Sequence, residues 1–251
     1  MYREYLPDIR LQHLIETYWV TDQVVNKPYS EKIMPDGCVD IIFNFQEKDN
    51  FGQRINRLPN LVGTMTSLLE ITYQTDQIEM LGIRFAPGGI TAFTHIPIHE
   101  ITNQNIELPL ADTLFETEFY SRLPQLGNMD ERINYINRYL ITRLNNLYQP
   151  NRQIQYAVSL IKKNIGLFPI KQLAKEVCMS ERNFERQFKT AIGISPKFFS
   201  NVIRFEYTRQ YLKTHKTSSL FSIAIDCGYH DHSHMYKEFL RLGQVSPSDL
   251  L

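Results

Sequence analysis

Apolar positions in the last eighty residues of the chain recur in one order, twice. Leu173 to Pro196 reads LAKEVCMSERNFERQFKTAIGISP, and Ile223 to Pro247 reads IAIDCGYHDHSHMYKEFLRLGQVSP. Each copy opens as a short apolar helix with an alanine (Ala174, Ala224) where another helix must cross closely. Each then breaks, at Val177-Cys178-Met179 or Cys227-Gly228-Tyr229, and resumes as a helix with one apolar seam. Phe184 and Phe188 are four apart, as are Met235 and Phe239, so each seam occupies one helical face. Two copies are too few for a solenoid and point instead to a duplicated supersecondary unit, the helix-turn-helix. Gly228 tolerates the turn in the second copy, and Ser180 is a good N-cap for the helix that follows in the first. Between the copies, SPKFFSNVIRFEYTRQYLKT begins with Pro196 behind a Ser195 cap. It then runs without glycine or proline, which predicts one long connecting helix.

The seams leave polar faces outward. In the first copy that face carries Arg182, Glu185, Arg186 and Lys189, with Asn183 beside them; in the second it carries His232, Ser233, Tyr236 and Lys237, with His234 at its flank. These residue types reach base edges and phosphates in a major groove. A rigid connector would hold the two helices so that they enter successive groove segments about 34 Å apart. Either unit alone would equally suit a helical bundle with a solvated basic face; two units in register on one connector favour a reader of double-stranded DNA.

Residues from about 151 to 251 resemble the DNA-binding domain of AraC/XylS-type transcription regulators. The resemblance rests on both units, the linker helix, Gly228-Tyr229 and the two Gly…Ser-Pro endings. It implies base contacts at Arg182, Glu185 and Arg186, and at His232, Ser233, His234, Tyr236 and Lys237. That family often has arginine where Lys237 stands, and lysine suits a phosphate better than bidentate guanine reading. Bacterial origin, RNA polymerase as partner of an activator, and a homodimer belong to the same expectation.

The first half has a different pattern. Residues 9–20, IRLQHLIETYWV, pair apolar with charged positions and hold Trp19, the single tryptophan. Pro35-Asp36-Gly37 is a turn, and β-branched and aromatic runs follow at Val39–Phe45, around Ile71–Tyr73 and from Ile78 to Phe85. Residues 20–90 therefore read as an antiparallel β module. Beyond Gly88-Gly89, Ile90–Phe93 suits a helical turn and residues 111–122 suit a helix. After Met129, Ile133, Ile136, Leu140, Leu144 and Leu147 share one side of an amphipathic helix. That seam suits packing on its own domain, or alternatively a dimer contact. MPDGCVDIIFNF and LGIRFAPGGITAF resemble the sensor-like region of some AraC/XylS-type regulators. The resemblance implies a cupin-like half-barrel controlled by a small-molecule effector, with pocket residues unassigned. The alternative is a ligand-free interaction or dimerisation module.

Charge sharpens the division. The whole chain of 251 residues is formally neutral, yet residues 151–251 hold 15 Lys and Arg against 8 Asp and Glu, while residues 1–150 hold 12 against 19. A basic domain joined to an acidic one is what a separate DNA-binding half predicts. Cys38, Cys178 and Cys227 are far apart and read as free thiols. The charged start MYREYLPDIR resembles no signal peptide and no stretch approaches a membrane span, so a cytoplasmic location without membrane contact is expected. A metal among His230, His232 and His234 would need ligands four apart on a helix, but the turn ends there; His95 and His99 flank Pro97 and are expected at the surface. No metal or cofactor is expected. Asp36, Asp40 and Arg84 suit a structural ion pair better than acid–base chemistry. No nucleophile elbow, phosphate loop or dinucleotide fingerprint is present, so an enzyme is the weakest reading. The expected architecture is α+β: a β-rich sensing or dimerisation domain over residues 1–149, then an all-α DNA-binding domain over 150–251.

Overall fold

The computed structural model describes all residues except 27, 46–57, 75, 145–148, 217–218 and 251. The strands are β1 (Tyr2–Tyr5), β2 (Ile15–Val24), β3 (Tyr29–Ile33), β4 (Val39–Asn44), β5 (Asn60–Val62), β6 (Leu69–Tyr73), β7 (Gln77–Phe85) and β8 (Asn105–Glu107). Six form one sheet in the order β1-β2-β7-β4-β5-β8, and β3 pairs with β6; every pairing is antiparallel. The expected strands are all present, as β4, β6 and β7, but the six-stranded sheet also takes in β1, β2, β5 and β8. The middle of β2 is buried on both faces, so its pattern never alternates as a half-exposed strand would. Tyr18, Val20, Ile41, Phe43, Leu81 and Ile83 point to one core, and Trp19, Ile78 and Met80 to a second, smaller one. Trp19 lies flat over Gly82, its partner in the register, where any Cβ would collide with the indole.

Helices cover the first face. Residues 111–122 do not form the single helix expected of them. Instead α1 (Leu108–Ala111) ends at Asp112, in extended backbone, and α2 (Thr117–Arg122) starts five residues later. Leu114 and Phe115 between them are buried in the core, with Phe115 stacked on Phe119 at 4.1 Å; burying these side chains outweighs helix continuity. In α3 (Met129–Leu144), Ile133, Ile136 and Leu140 face this same core. The described part of the heptad-like seam therefore packs inside its own domain, as the first of the two expectations had it; Leu147 lies outside the described residues. Asn137 on this helix accepts the Tyr18 hydroxyl at 2.9 Å and the Asp8 amide at 3.1 Å, tying helix to sheet.

The remaining elements are helical: α4 (Arg152–Lys163), α5 (Ile170–Glu176), α6 (Glu181–Ile192), α7 (Pro196–Thr214), α8 (Leu220–Asp226) and α9 (His232–Gly243). They share a separate core built from Leu173, Ala174, Phe184, Phe188, Phe199, Phe205, Ile223, Ala224, Met235 and Phe239, among others. The connector α7 is the uninterrupted helix its sequence predicts, capped by Ser195, whose hydroxyl accepts the Phe198 amide at 3.2 Å. The two cores meet along a seam where Met34 packs on the helical core, Gly37 abuts Phe199 and Gly88 approaches Ile192. At its rim Lys162 faces Glu16 at 3.7 Å.

Candidate DNA-reading surface

The two helix pairs repeat each other in hydrogen bonds as well as sequence. In the first turn the Met179 amide donates to the Ala174 carbonyl at 2.9 Å; fifty residues on, Tyr229 donates to Ala224 at the same distance. The residue before each donor is left-handed, with φ 53° at Cys178 and 74° at Gly228. The first unit thus builds a glycine-type turn without glycine, at a cost of about 1–2 kcal/mol. Ser180 caps α6 by accepting the Asn183 amide at 3.3 Å, and Asp231 caps α9 by accepting the His234 amide at 2.7 Å. That bond, and the His230 ring beside it, hold the Asp231 carboxyl below its ordinary range. Both helices are twelve residues long and end on a left-handed residue, Gly193 or Gln244.

Phe184, Phe188 and Ile192 of α6 are buried, as are Met235, Phe239 and Leu242 of α9. On the opposite face Arg182, Glu185, Arg186 and Lys189 are exposed and Asn183 is half-buried; Ser233, His234, Tyr236 and Lys237 are exposed and His232 is half-buried. The Arg186 guanidinium donates to Asn183 Oδ1 at 2.9 Å, which fixes its direction along the helix. The histidines diverge: His230 contacts Asp231 at 3.1 Å, His232 lies near Tyr236, and His234 turns its edge to Tyr229. Among the described residues no group of three or more His, Cys, Asp or Glu is placed to hold a metal ion.

A buried ion pair missing from the sequence reading holds α9 to the connector. Arg204 of α7 donates to both carboxylate oxygens of Glu238, from Nη2 at 2.8 and 2.9 Å and from Nε at 3.1 Å. The side chains are 8% and 4% exposed, and the guanidinium lies 4.3 Å above the Tyr229 ring. The available signal was Glu238 itself, which shares the inward face of α9 with Met235, Phe239 and Leu242.

In the amino-terminal domain Arg84 stands between Asp40 and Asp36, at 3.3 and 3.4 Å, and Trp19 Nε1 donates to Asp40 at 2.7 Å. Burial outweighs the Arg84 charge and pushes the Asp40 carboxyl up to about 6. Arg84 also lines a hollow of about 180 Å³ with Glu4, Tyr5, Leu6, Glu16 and Thr17. Cys38 is buried beside it, donating to Glu16 at 3.3 Å, and burial pushes its thiol well up, which keeps it from acting as a thiolate.

Two helix-turn-helix units on one connecting helix define the class: the carboxy-terminal domain is a double helix-turn-helix domain of the AraC/XylS type. Residues 173–251 match a family described as a helix-turn-helix domain, and residues 3–107 match a domain of unknown function, DUF6597. An uncharacterized HTH-type transcriptional regulator of Haemophilus influenzae is 37% identical over 91 residues, covering 36% of this chain and 30% of that protein. The HTH-type transcriptional activator RhaS of Escherichia coli is 32% identical over 78 residues, covering 31% of this chain and 28% of its own length. The chain thus spans less than a third of the length of these relatives. The 1.65 Å structure of ToxT from Vibrio cholerae is similar with a TM-score of 0.51 at 12% identity, over 92% of this chain and 97% of that one. The last likeness shows a shared fold, with β-rich and helix-turn-helix portions in the same order.

Proposed function

We propose that this chain is a sequence-specific DNA-binding transcription regulator, with residues 1–149 and 150–251 as its two working parts. One observation carries the reading: α6 and α9 present equivalent exposed polar faces, with matching caps fifty-one residues apart, on a single connector. The connector has nineteen residues. At the helical rise that is about 28 Å, close to one turn of duplex. Arg182, Glu185 and Arg186 read one major-groove segment, with Asn183 orienting Arg186 and Lys189 on phosphate. The face of His232, Ser233, His234 and Tyr236 reads the next, with Lys237 on phosphate. Glu185 favours a cytosine amino group and Arg186 a guanine.

Selection of duplexes from a random library by the full chain, at two salt concentrations, tests this. The expected product is a bipartite site whose elements lie about one helical turn apart. Arg186→Ala should then cost about 1–3 kcal/mol and relax preference at one base pair, whereas Lys237→Ala should weaken all sequences alike and lower the salt slope by about one. Sequence-blind binding that vanishes with salt would reduce the domain to a basic bundle. Control by a small-molecule effector, in the hollow beside Arg84, is the companion proposal; a ligand for it must raise the melting temperature of the protein. The second reading, an amino-terminal half that acts by contact alone, is favoured by hydrogen bonds from that half to the ends of α6 and α9.

A further inference from the structure

Helices end with carbonyl groups that have no partner within the helix. At the ends of α6 and α9, three of these carbonyls receive donors from the amino-terminal domain. Thr64, fully buried, donates its hydroxyl to the Ile192 carbonyl at 2.6 Å. Thr102 donates its hydroxyl to the Gly193 carbonyl at 2.9 Å. The Leu68 amide donates to the Leu242 carbonyl at 2.9 Å. Gly193 fits because it is glycine: φ is 94°, and a Cβ would come within 2.9 Å of Thr102 Oγ1 and 3.1 Å of Thr64 Oγ1.

The donors belong to one stiff unit. Gly63 donates to the Gln104 carbonyl and Asn103 to the Thr64 carbonyl, each at 3.0 Å, and the Thr66 amide donates to Asn103 Oδ1 at 2.8 Å. Asn103 is itself left-handed, with φ 59°. Thr64 and Leu68 are four residues apart in sequence, so the chain between them spans at most about 14 Å. A short, cross-braced segment is therefore bonded at one end to α6 and at the other to α9.

We infer that the loop at residues 63–68, with Thr102, is a brace that sets the relative pose of the two recognition helices and so the spacing between the two DNA elements the protein accepts. Thr64 and Thr102 act as positioning residues that need no contact with DNA. The inference rests on the DNA-reading function proposed above. Its force lies in what α7 alone cannot supply: each recognition helix packs on the connector within its own unit, and the loop adds a direct tie between the carboxy-terminal ends of α6 and α9, restraining one against the other. One added base pair moves an element by about 3.4 Å along the duplex, and a braced reader cannot follow it.

The test uses the full chain and its selected bipartite site, together with versions carrying one base pair more or fewer between the elements, at fixed salt. The wild-type protein should lose at least about thirtyfold in affinity on either spacing change, as the displaced element forfeits its base contacts. The Thr64→Val, Thr102→Val double variant keeps side-chain shape and removes both hydroxyls; its spacing penalty should fall to a few-fold, and Thr64→Ser, Thr102→Ser should restore the strictness. Should the double valine variant lose its fold by circular dichroism, Thr102→Val alone removes the half-exposed bond only, and its spacing penalty should fall at least threefold. An unchanged spacing penalty in a folded variant overturns the brace while leaving DNA reading intact. A wild-type protein that selects no bipartite site overturns the DNA reading, and the brace falls with it.

Discussion

Arg204→Met tests whether the buried ion pair, rather than apolar packing alone, fixes the second recognition helix. The substitution keeps an unbranched side chain of similar reach but strands Glu238, whose carboxylate is 4% exposed. Breaking a buried pair from one side costs about 3–5 kcal/mol, because the remaining charge has lost both water and partner. Arg241 lies 3.7 Å from Glu238 on the same helix and is half-exposed, so it offsets about 1 kcal/mol of that loss. The stacking of Arg204 on Tyr229 disappears as well, worth about 1 kcal/mol. The last two contributions cancel, so the expected net cost is about 3–5 kcal/mol, a large share of a domain stability of about 5–15 kcal/mol. Urea unfolding followed by far-UV circular dichroism measures it. Trp19, the single tryptophan, sits in the other domain, so its fluorescence separates damage there from damage in the helices. Glu238→Leu added to Arg204→Met removes the stranded charge and should recover more than half of the loss. A cost below about 1 kcal/mol for Arg204→Met, or a double variant no better than the single one, would refute the account.

Two further outcomes follow from the same geometry. The Asp40 carboxyl, pushed up to about 6 by burial, binds its proton more tightly folded than unfolded; its contribution to stability is therefore greatest below pH about 4 and is lost as pH rises through about 6. Trp19 donates to this carboxylate, so tryptophan emission should titrate near pH 6 and become flat in Asp40→Asn; a titration that survives the substitution belongs to another group. At Cys178, glycine relieves a left-handed non-glycine residue, and Cys178→Gly should stabilise by up to about 1 kcal/mol after its own chain entropy is counted. A lower urea midpoint for this variant would mean that the cysteine side chain contributes packing that outweighs the strain.

Legibility in the sequence followed how each element is stabilised. Both helix-turn-helix units announced themselves because their seams repeat at 3.6-residue spacing, and their caps and connector use residues with strong positional preferences. The Arg84 pairing was legible for a related reason: a lone cation in an apolar strand must find a carboxylate, and Asp36 and Asp40 were near in sequence to the same sheet. β2 was harder, since both its faces are covered and burial erased the alternation that marks a strand. The break between α1 and α2 falls at Asp112, in extended backbone, and Thr113, both weak helix formers; the apolar residues after it, Leu114 and Phe115, keep the spacing a continuous helix would also use, so the apolar pattern alone did not reveal it.

The contact between the two domains was illegible for a more general reason. Ile192, Gly193 and Leu242 take part through their carbonyl groups, which every residue carries, so no residue type marks them as acceptors. Their donors are two ordinary threonine hydroxyls and one amide, and a threonine beside a β-strand reads first as a strand former. Only Gly193 leaves a trace, and a glycine after a helix is fully accounted for as a C-cap. Such a contact also escapes charge arguments. The acidic first half and basic second half suggest domains joined by attraction, yet Lys162–Glu16 is a rim pair at 3.7 Å with both side chains well exposed, and pairs of that kind contribute about 0–1 kcal/mol. The bonds at the helix ends are between neutral groups, and hydrogen bonds between neutral groups are barely screened by salt. If they set the pose of α6 and α9, raising the salt concentration should weaken DNA binding through the phosphate contacts while leaving the preferred spacing between the two elements unchanged. A spacing preference that broadens with salt would place the domain contact on its charged rim instead.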